Sequence, residues 1–136
     1  MAKIGGFFPL HLDLNQAADS VWDRWCSGSQ QILQFSNARS VIGYLASSLK
    51  PATIWLPSFI CDDVSRALKP AFSVRYYAVE ADLSEDVAVL AKALSSGDMV
   101  IGIDYFGRPP SEAFLSLVDQ RADVLWVEDR AQAFSP

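Results

Sequence analysis

The sequence predicts an α/β fold, a three-layer domain with a mainly parallel sheet between helices. Three observations point there. From residue 36 on, helical and strand signals alternate at roughly 22-residue spacing, the rhythm of strand–helix–strand units. The strand segments "MVIGI" and "VLWV" are unbroken apolar runs, as expected where both sheet faces are covered. Polar residues collect just after the strands, in "PSFICDD", "DYFGRP" and "EDRAQ", where open α/β sheets bind ligands.

Each element has its own justification. "SNARSVIGYLASSLK" reads as a helix, with Ser36 or Asn37 as cap and Val41, Tyr44, Leu45 and Leu49 as its apolar face. Pro51 stops it, because the residue before a proline is pushed out of helical backbone. "ATIWL" is a short buried strand ending at Pro57. "FICDDVSRALK" is a second helix, closed by Lys69-Pro70, and "FSVRYYAV" is the next strand. "LSEDVAVLAKALSS" is a third helix, with Ser84 as cap, Val87, Leu90, Ala91 and Leu94 facing inward, and Gly97 at its end. "DMVIGIDYF" is a strand and "GRPP" a turn. "SEAFLSLVDQR" is the fourth helix and "ADVLWVED" the last strand. Residues 1 to 35 hold Gly5-Gly6, Pro9, Gly28 and two Trp without a clear period, and read as an arm packing on the domain or on a partner.

Composition narrows the function. The chain has 136 residues, 51% hydrophobic and 20% charged, which suits one globular domain with a proper core. The net charge of −5 argues against a general nucleic-acid binder. No apolar run approaches the roughly 20 residues that span a bilayer. "MAKIGGFFPLHLDLN" makes a poor signal peptide, so a cytoplasmic protein is expected. Cys26 and Cys61 match no metal spacing and read as two thiols. His11 is the single histidine and lies in the irregular arm, so neither a Ser-His-Asp arrangement nor a metal-histidine site is expected.

The polar residues at the strand ends suggest one ligand. "SNAR" opens a helix, where free backbone N–H groups and the helix dipole favour an anion. Asp129 ends the last strand. An anion at Ser36, Asn37 and Ala38 and a carboxylate at Asp129 could hold the two ends of a flat, phosphorylated cofactor. Pyridoxal phosphate fits: its phosphate needs donors, and its ring nitrogen needs an acidic partner to stay protonated. Asp62 and Asp63 fall early in a helix, where carboxylates favour the dipole; an acidic pair as in receiver-like signalling domains is the other reading.

In order, "SNARSVIGYL", "IWLPSFICDDV", "DYFGRP" and "VEDRAQA" resemble the large domain of the DegT/DnrJ/EryC1/StrS sugar aminotransferases, pyridoxal-phosphate enzymes of fold type I. The opening "IGG" resembles the start of such chains. The most specific piece is the ED-x-AQA pattern after a buried strand. The resemblance implies that Asp129 pairs with the pyridinium nitrogen and that Gln132 contacts the oxygen side of the ring. It implies that Asn37 and Ala38 offer backbone N–H groups to the phosphate with Ser36 nearby, and that Cys61 stands where many members place an aromatic ring. The implied reaction is amino transfer to a keto group, such as that of a nucleotide-linked sugar, by a homodimer acting on small molecules.

Arg130 stands beside Asp129 where the family pattern has Ala, a competitor for that carboxylate. The family's cofactor-bearing lysine lies well downstream of this motif, and Lys3, Lys50, Lys69 and Lys92 match no such place. The expectation is therefore the N-terminal part of the enzyme's large domain, residues 36 to 136, inactive alone and doubtful as a cofactor binder alone. The alternative is a non-catalytic α/β binding or interaction module derived from that family.

Overall fold

The structure, a computed structural model, describes Leu33 and residues 35–133. The arm expected over residues 1–35 lies outside the described residues except at Leu33 and Phe35. The chain divides into two compact units, Met1–Leu33 with Pro136 and Gln34–Ser135, and the second carries the sheet. Its elements run α1 (Ala38–Leu49), β1 (Ile54–Pro57), α2 (Asp62–Leu68), β2 (Val74–Tyr77), α3 (Val87–Ala93), β3 (Met99–Ile103), α4 (Glu112–Gln120) and β4 (Leu125–Asp129). This is the predicted alternation, and the fold class is α/β as expected.

The four strands are all parallel, in the order β2-β1-β3-β4. The chain steps outward from β1 to β2, then crosses back over β1 to start β3, so the order reverses between β1 and β3. Strand alternation divides the core in two. On one face Ile54 and Leu56 of β1 and Met99 and Ile101 of β3 pack on Ile42 and Ala46 of α1 and Val64 and Leu68 of α2. On the other, Trp55, Tyr77 and Val100 pack on Leu90 and Leu94 at α3 and Phe114 of α4. Helices on both faces make three layers.

Three local expectations are corrected. Asn37 caps α1, its Oδ1 accepting the Ser40 N–H at 3.0 Å and the Ser40 hydroxyl at 2.9 Å. The buried stripe of α1, however, is centred on Ile42 and Ala46. Tyr44 and Leu49 are exposed, and Tyr44 packs against the Phe35 ring at 5.3 Å. The small Ala46 is 0% exposed and lets the helix approach the sheet, which turns the larger residues outward. Second, α3 is capped by Asp86, whose Oδ1 accepts the Val89 N–H at 3.1 Å, and not by Ser84. A bridge between Val79 and Glu85 keeps the chain extended past Ser84, whose hydroxyl instead donates to Asp82 at 2.6 Å. Third, α3 ends at Ala93; Gly97 lies beyond it, in left-handed backbone at φ 80° in the turn into β3.

The sheet is splayed at one point. β1 and β3 pair only at Ile54–Met99 and Trp55–Val100, although both strands run on. The ladder explains this. The Met99 N–H donates to the Thr53 carbonyl, so the odd-numbered residues of β3 face β1. The Ile101 carbonyl would next take an N–H from position 57, but Pro57 has none. The buried Tyr77 hydroxyl reaches across and donates to that carbonyl at 2.7 Å instead.

Candidate functional site

A cavity of about 410 Å³ lies beyond the carboxyl ends of the strands, where β1 and β3 part. Its position follows from topology, since a reversal of strand order leaves a crevice that no crossover helix covers. Its volume suits a small organic ligand. The loop after β1 brings Phe59 and Cys61 to it, the end of β3 brings Tyr105, the end of β4 brings Asp129 and Gln132, and the start of α1 brings Ala38. Of the residues singled out from sequence, Ala38, Cys61, Asp129 and Gln132 share this cavity. Ser36 and Asn37 immediately precede α1 and are not part of the lining.

The carboxylate of Asp129 is available from the cavity side. Its Oδ1 accepts the Ala131 N–H at 2.9 Å, which fixes the carboxyl orientation. Arg130 does not compete for it. The Arg130 guanidinium donates through Nε to Asp104 Oδ2 at 3.1 Å. Asp104 is 3% exposed, so Arg130 partly compensates a buried charge whose other oxygen, Oδ1, has no partner among the described residues. Glu128, across the sheet from Gly102, feels the same cluster. Partial burial raises its carboxyl above the ordinary value, the Asp104 charge adds to this, and Arg130 opposes it.

α1 presents its N-terminus to the same cavity through Ala38. The Ser40 N–H goes to the Asn37 side chain and the Val41 N–H to the Asn37 carbonyl. The N–H groups of Ala38 and Arg39 have no acceptor among the described residues, the usual state of a first helical turn. The Arg39 guanidinium donates to Asp63 at 3.0 Å and ties the start of α1 to the start of α2. Asp62 and Asp63 are thus exposed first-turn carboxylates, paired with Arg66 and Arg39.

Gln132 is held by its amide oxygen, which accepts the Phe106 N–H at 3.2 Å. Phe106 and Gly107 have left-handed backbone, φ 55° and 82°, in a tight turn closed by the Arg108 N–H to the Tyr105 carbonyl. Arg108 itself donates to the Asp82 carbonyl at 3.0 Å and braces the loop before α3. Sequence reasoning missed Phe59 and Tyr105. The Tyr105 hydroxyl donates to the Phe59 carbonyl at 2.5 Å, and the two rings lie 5.5 Å apart. Burial, with Glu85 and Asp129 nearby, pushes the Tyr105 phenol up to about 12, so it stays a donor. The "SF" after Pro57 and the "DY" after "MVIGI" were the available signals, aromatics placed just past strand ends.

No family model matches the chain, and no curated protein matches it. Among solved structures it is similar to the sphingosine-1-phosphate lyase of Burkholderia pseudomallei K96243, at 14% identity and a TM-score of 0.50 over 66% of this chain. That likeness is one of fold. It agrees with an α/β domain built on a parallel sheet and does not single out a family. The chain spans 23% of the length of that structure. Among the described residues no group of three or more His, Cys, Asp or Glu could hold a metal ion, and no helix is long and apolar enough to cross a membrane.

Proposed function

We propose that this chain forms the cofactor-holding half of a pyridoxal-phosphate enzyme of the sugar-aminotransferase kind, whose parent reaction is amino transfer to a keto group. One observation carries the reading. A helix N-terminus, a carboxylate and an amide, picked out by motif, meet around one cavity at the strand-order reversal. The donor set fits the group: N–H groups at Ala38 and Arg39 for a phosphate, and an acid at Asp129 for a ring nitrogen. The fold likeness and the ordered motifs support the same reading.

When bound, pyridoxal phosphate supplies an electron sink for negative charge developing beside a substrate nitrogen. The protein's part is orientation and proton control. Asp129, steered by Ala131, holds a proton on the ring nitrogen. The first turn of α1 binds and orients the phosphate through backbone N–H groups and the helix dipole. Gln132, steered by Phe106, offers its amide nitrogen to the ring's oxygen side. None of the lysines among the described residues lines the cavity, so these residues supply binding and orientation. That same observation is what favours the second reading, a binding module of the same descent that holds a phosphorylated ligand without chemistry.

Pyridoxine 5′-phosphate tests the reading, because it has no aldehyde to react with surface lysines. Calorimetric titration is expected to show saturable one-to-one binding. Asp129→Asn should weaken it by about 10- to 100-fold, the worth of a hydrogen bond to a charged group. Pyridoxine without the phosphate should bind far more weakly. Equal affinity in wild type and Asp129→Asn would sink the assignment.

A further inference from the structure

We propose that Asp104 is a positioning residue for the cavity: its buried carboxylate pins Arg130 to the end of β3, and with it the turn that carries Ala131 and Gln132. The inference rests on the half-site reading above and deepens it, because the Ala131 N–H steers Asp129 and Gln132 lines the same cavity. The family pattern has Ala at position 130, so no motif supplies this contact.

Topology brings the pair together. Ile103 and Asp129 are register partners, and both line the cavity. Asp104 and Arg130 come one residue later on each strand, and neither lines it. The strand ladder ends there, with the Asp104 N–H on the Asp129 carbonyl at 3.0 Å. Among the described residues, side chains then tie the following turn to the end of β3. Arg130 Nε donates to Asp104 Oδ2 at 3.1 Å, and Gln132 accepts the Phe106 N–H at 3.2 Å. Burial makes the first tie the firmer one. Asp104 is 3% exposed, and its Oδ1 has no partner among the described residues. Arg130 is the cation that offsets this charge among the described residues. A buried charge with a single partner holds that partner, because letting it go leaves the charge uncompensated. Glu128 belongs to the same cluster but is more exposed than Asp104, so water screens its pull on the guanidinium.

The test is a double-variant cycle over Asp104→Asn, Arg130→Ala and both together, read in two ways. Calorimetry compares pyridoxine 5′-phosphate with benzyl phosphate, which has the phosphate but no ring nitrogen. Each single variant should weaken pyridoxine 5′-phosphate by about 5- to 10-fold and leave benzyl phosphate within about twofold, and the double variant should be no weaker than either. Hydrogen exchange without ligand should show faster loss of the Ala131 and Phe106 N–H signals in all three variants. Asn keeps the shape of Asp104 and removes its charge, so that variant should fold. Arg130→Ala leaves the charge buried alone and should have the lower thermal midpoint of the two. Equal weakening of both ligands would mean a general loosening of the fold and would overturn the inference. So would unchanged affinity and exchange in Asp104→Asn, or a fully additive cycle, and each leaves the half-site reading intact. Failure of wild type to bind pyridoxine 5′-phosphate would overturn the half-site reading, and the exchange rates would then decide whether Asp104 pins the turn.

Discussion

Gly102 shows how one residue decides the packing of a whole face. A Cβ built at this position would lie 2.0 Å from Cη2 of Trp126 and 2.8 Å from Cζ3. The indole therefore rests directly on the β3 backbone, and a hydrogen is all that fits beneath it. The ring has no easy retreat, since Phe114 of α4 lies 5.3 Å away on its other side. Gly102→Ala should overpack this site and lower stability by about 1–3 kcal/mol, seen as a reduced urea midpoint. The clash belongs to one pair, so the cost should fall by more than half in a Trp126→Leu background. An unchanged midpoint for Gly102→Ala would mean that the indole does not lie on Gly102. From the sequence, "VIGI" shows only that a glycine interrupts an apolar strand; that it makes room for a Trp 24 positions later depends on strand register.

Among the elements, the β1–β3 pair links sequence to site most directly. Pro57 ends the β1 ladder, and the Tyr77 hydroxyl occupies the carbonyl that the ladder leaves open. Tyr77→Phe keeps the buried ring but orphans the Ile101 carbonyl. The expected cost is about 1–3 kcal/mol in thermal or denaturant unfolding. Pro57→Ala restores an N–H in register with that carbonyl, so the double variant should recover much of the loss. A purely additive pair of effects would show that Tyr77 and Pro57 are not coupled through Ile101. What could be read from sequence here follows from range. The apolar runs, the Asn37 cap and the order of elements depend on neighbours a few positions apart, and they were legible. So was the nearness of Asp129 and Gln132, three residues apart in one motif, which both line the cavity. Arg130 reaching Asp104, Gln132 taking the Phe106 N–H and Tyr77 bridging to Ile101 each join different elements, and no local pattern encodes them. Phe59 was hidden for another reason: a phenylalanine spelled within "PSFIC" looks the same whether its ring is buried or left open.

At the scale of the whole molecule, the two edges of the sheet are not equivalent. β2 forms one edge and carries Arg75 and Tyr76 outward, with Arg75 over the Trp55 ring and Lys69 over the Tyr76 ring, so cations cover that side. Such charge discourages further strand pairing. β4 forms the other edge and begins with Leu125, Trp126 and Val127, all only half-buried. Its inward N–H groups follow the ladder that starts with the Leu125 N–H on the Asp98 carbonyl and ends with the Asp104 N–H on the Asp129 carbonyl. The N–H groups of Trp126 and Glu128 therefore point away from β3, with no strand beside them among the described residues. Native-state hydrogen exchange turns this into a measurement. The slowest amides should be those of Trp55, Leu56 and Ile101 at the centre of the sheet, and protection along β4 should alternate, with Leu125 and Val127 slow and Trp126 and Glu128 fast. The alternation tests the register, because a shift by one residue would exchange the fast and slow sets. Slow exchange at all four of these β4 amides would instead mean that another strand lies along this edge in solution, and the sheet that supports the cavity would then be wider than four strands.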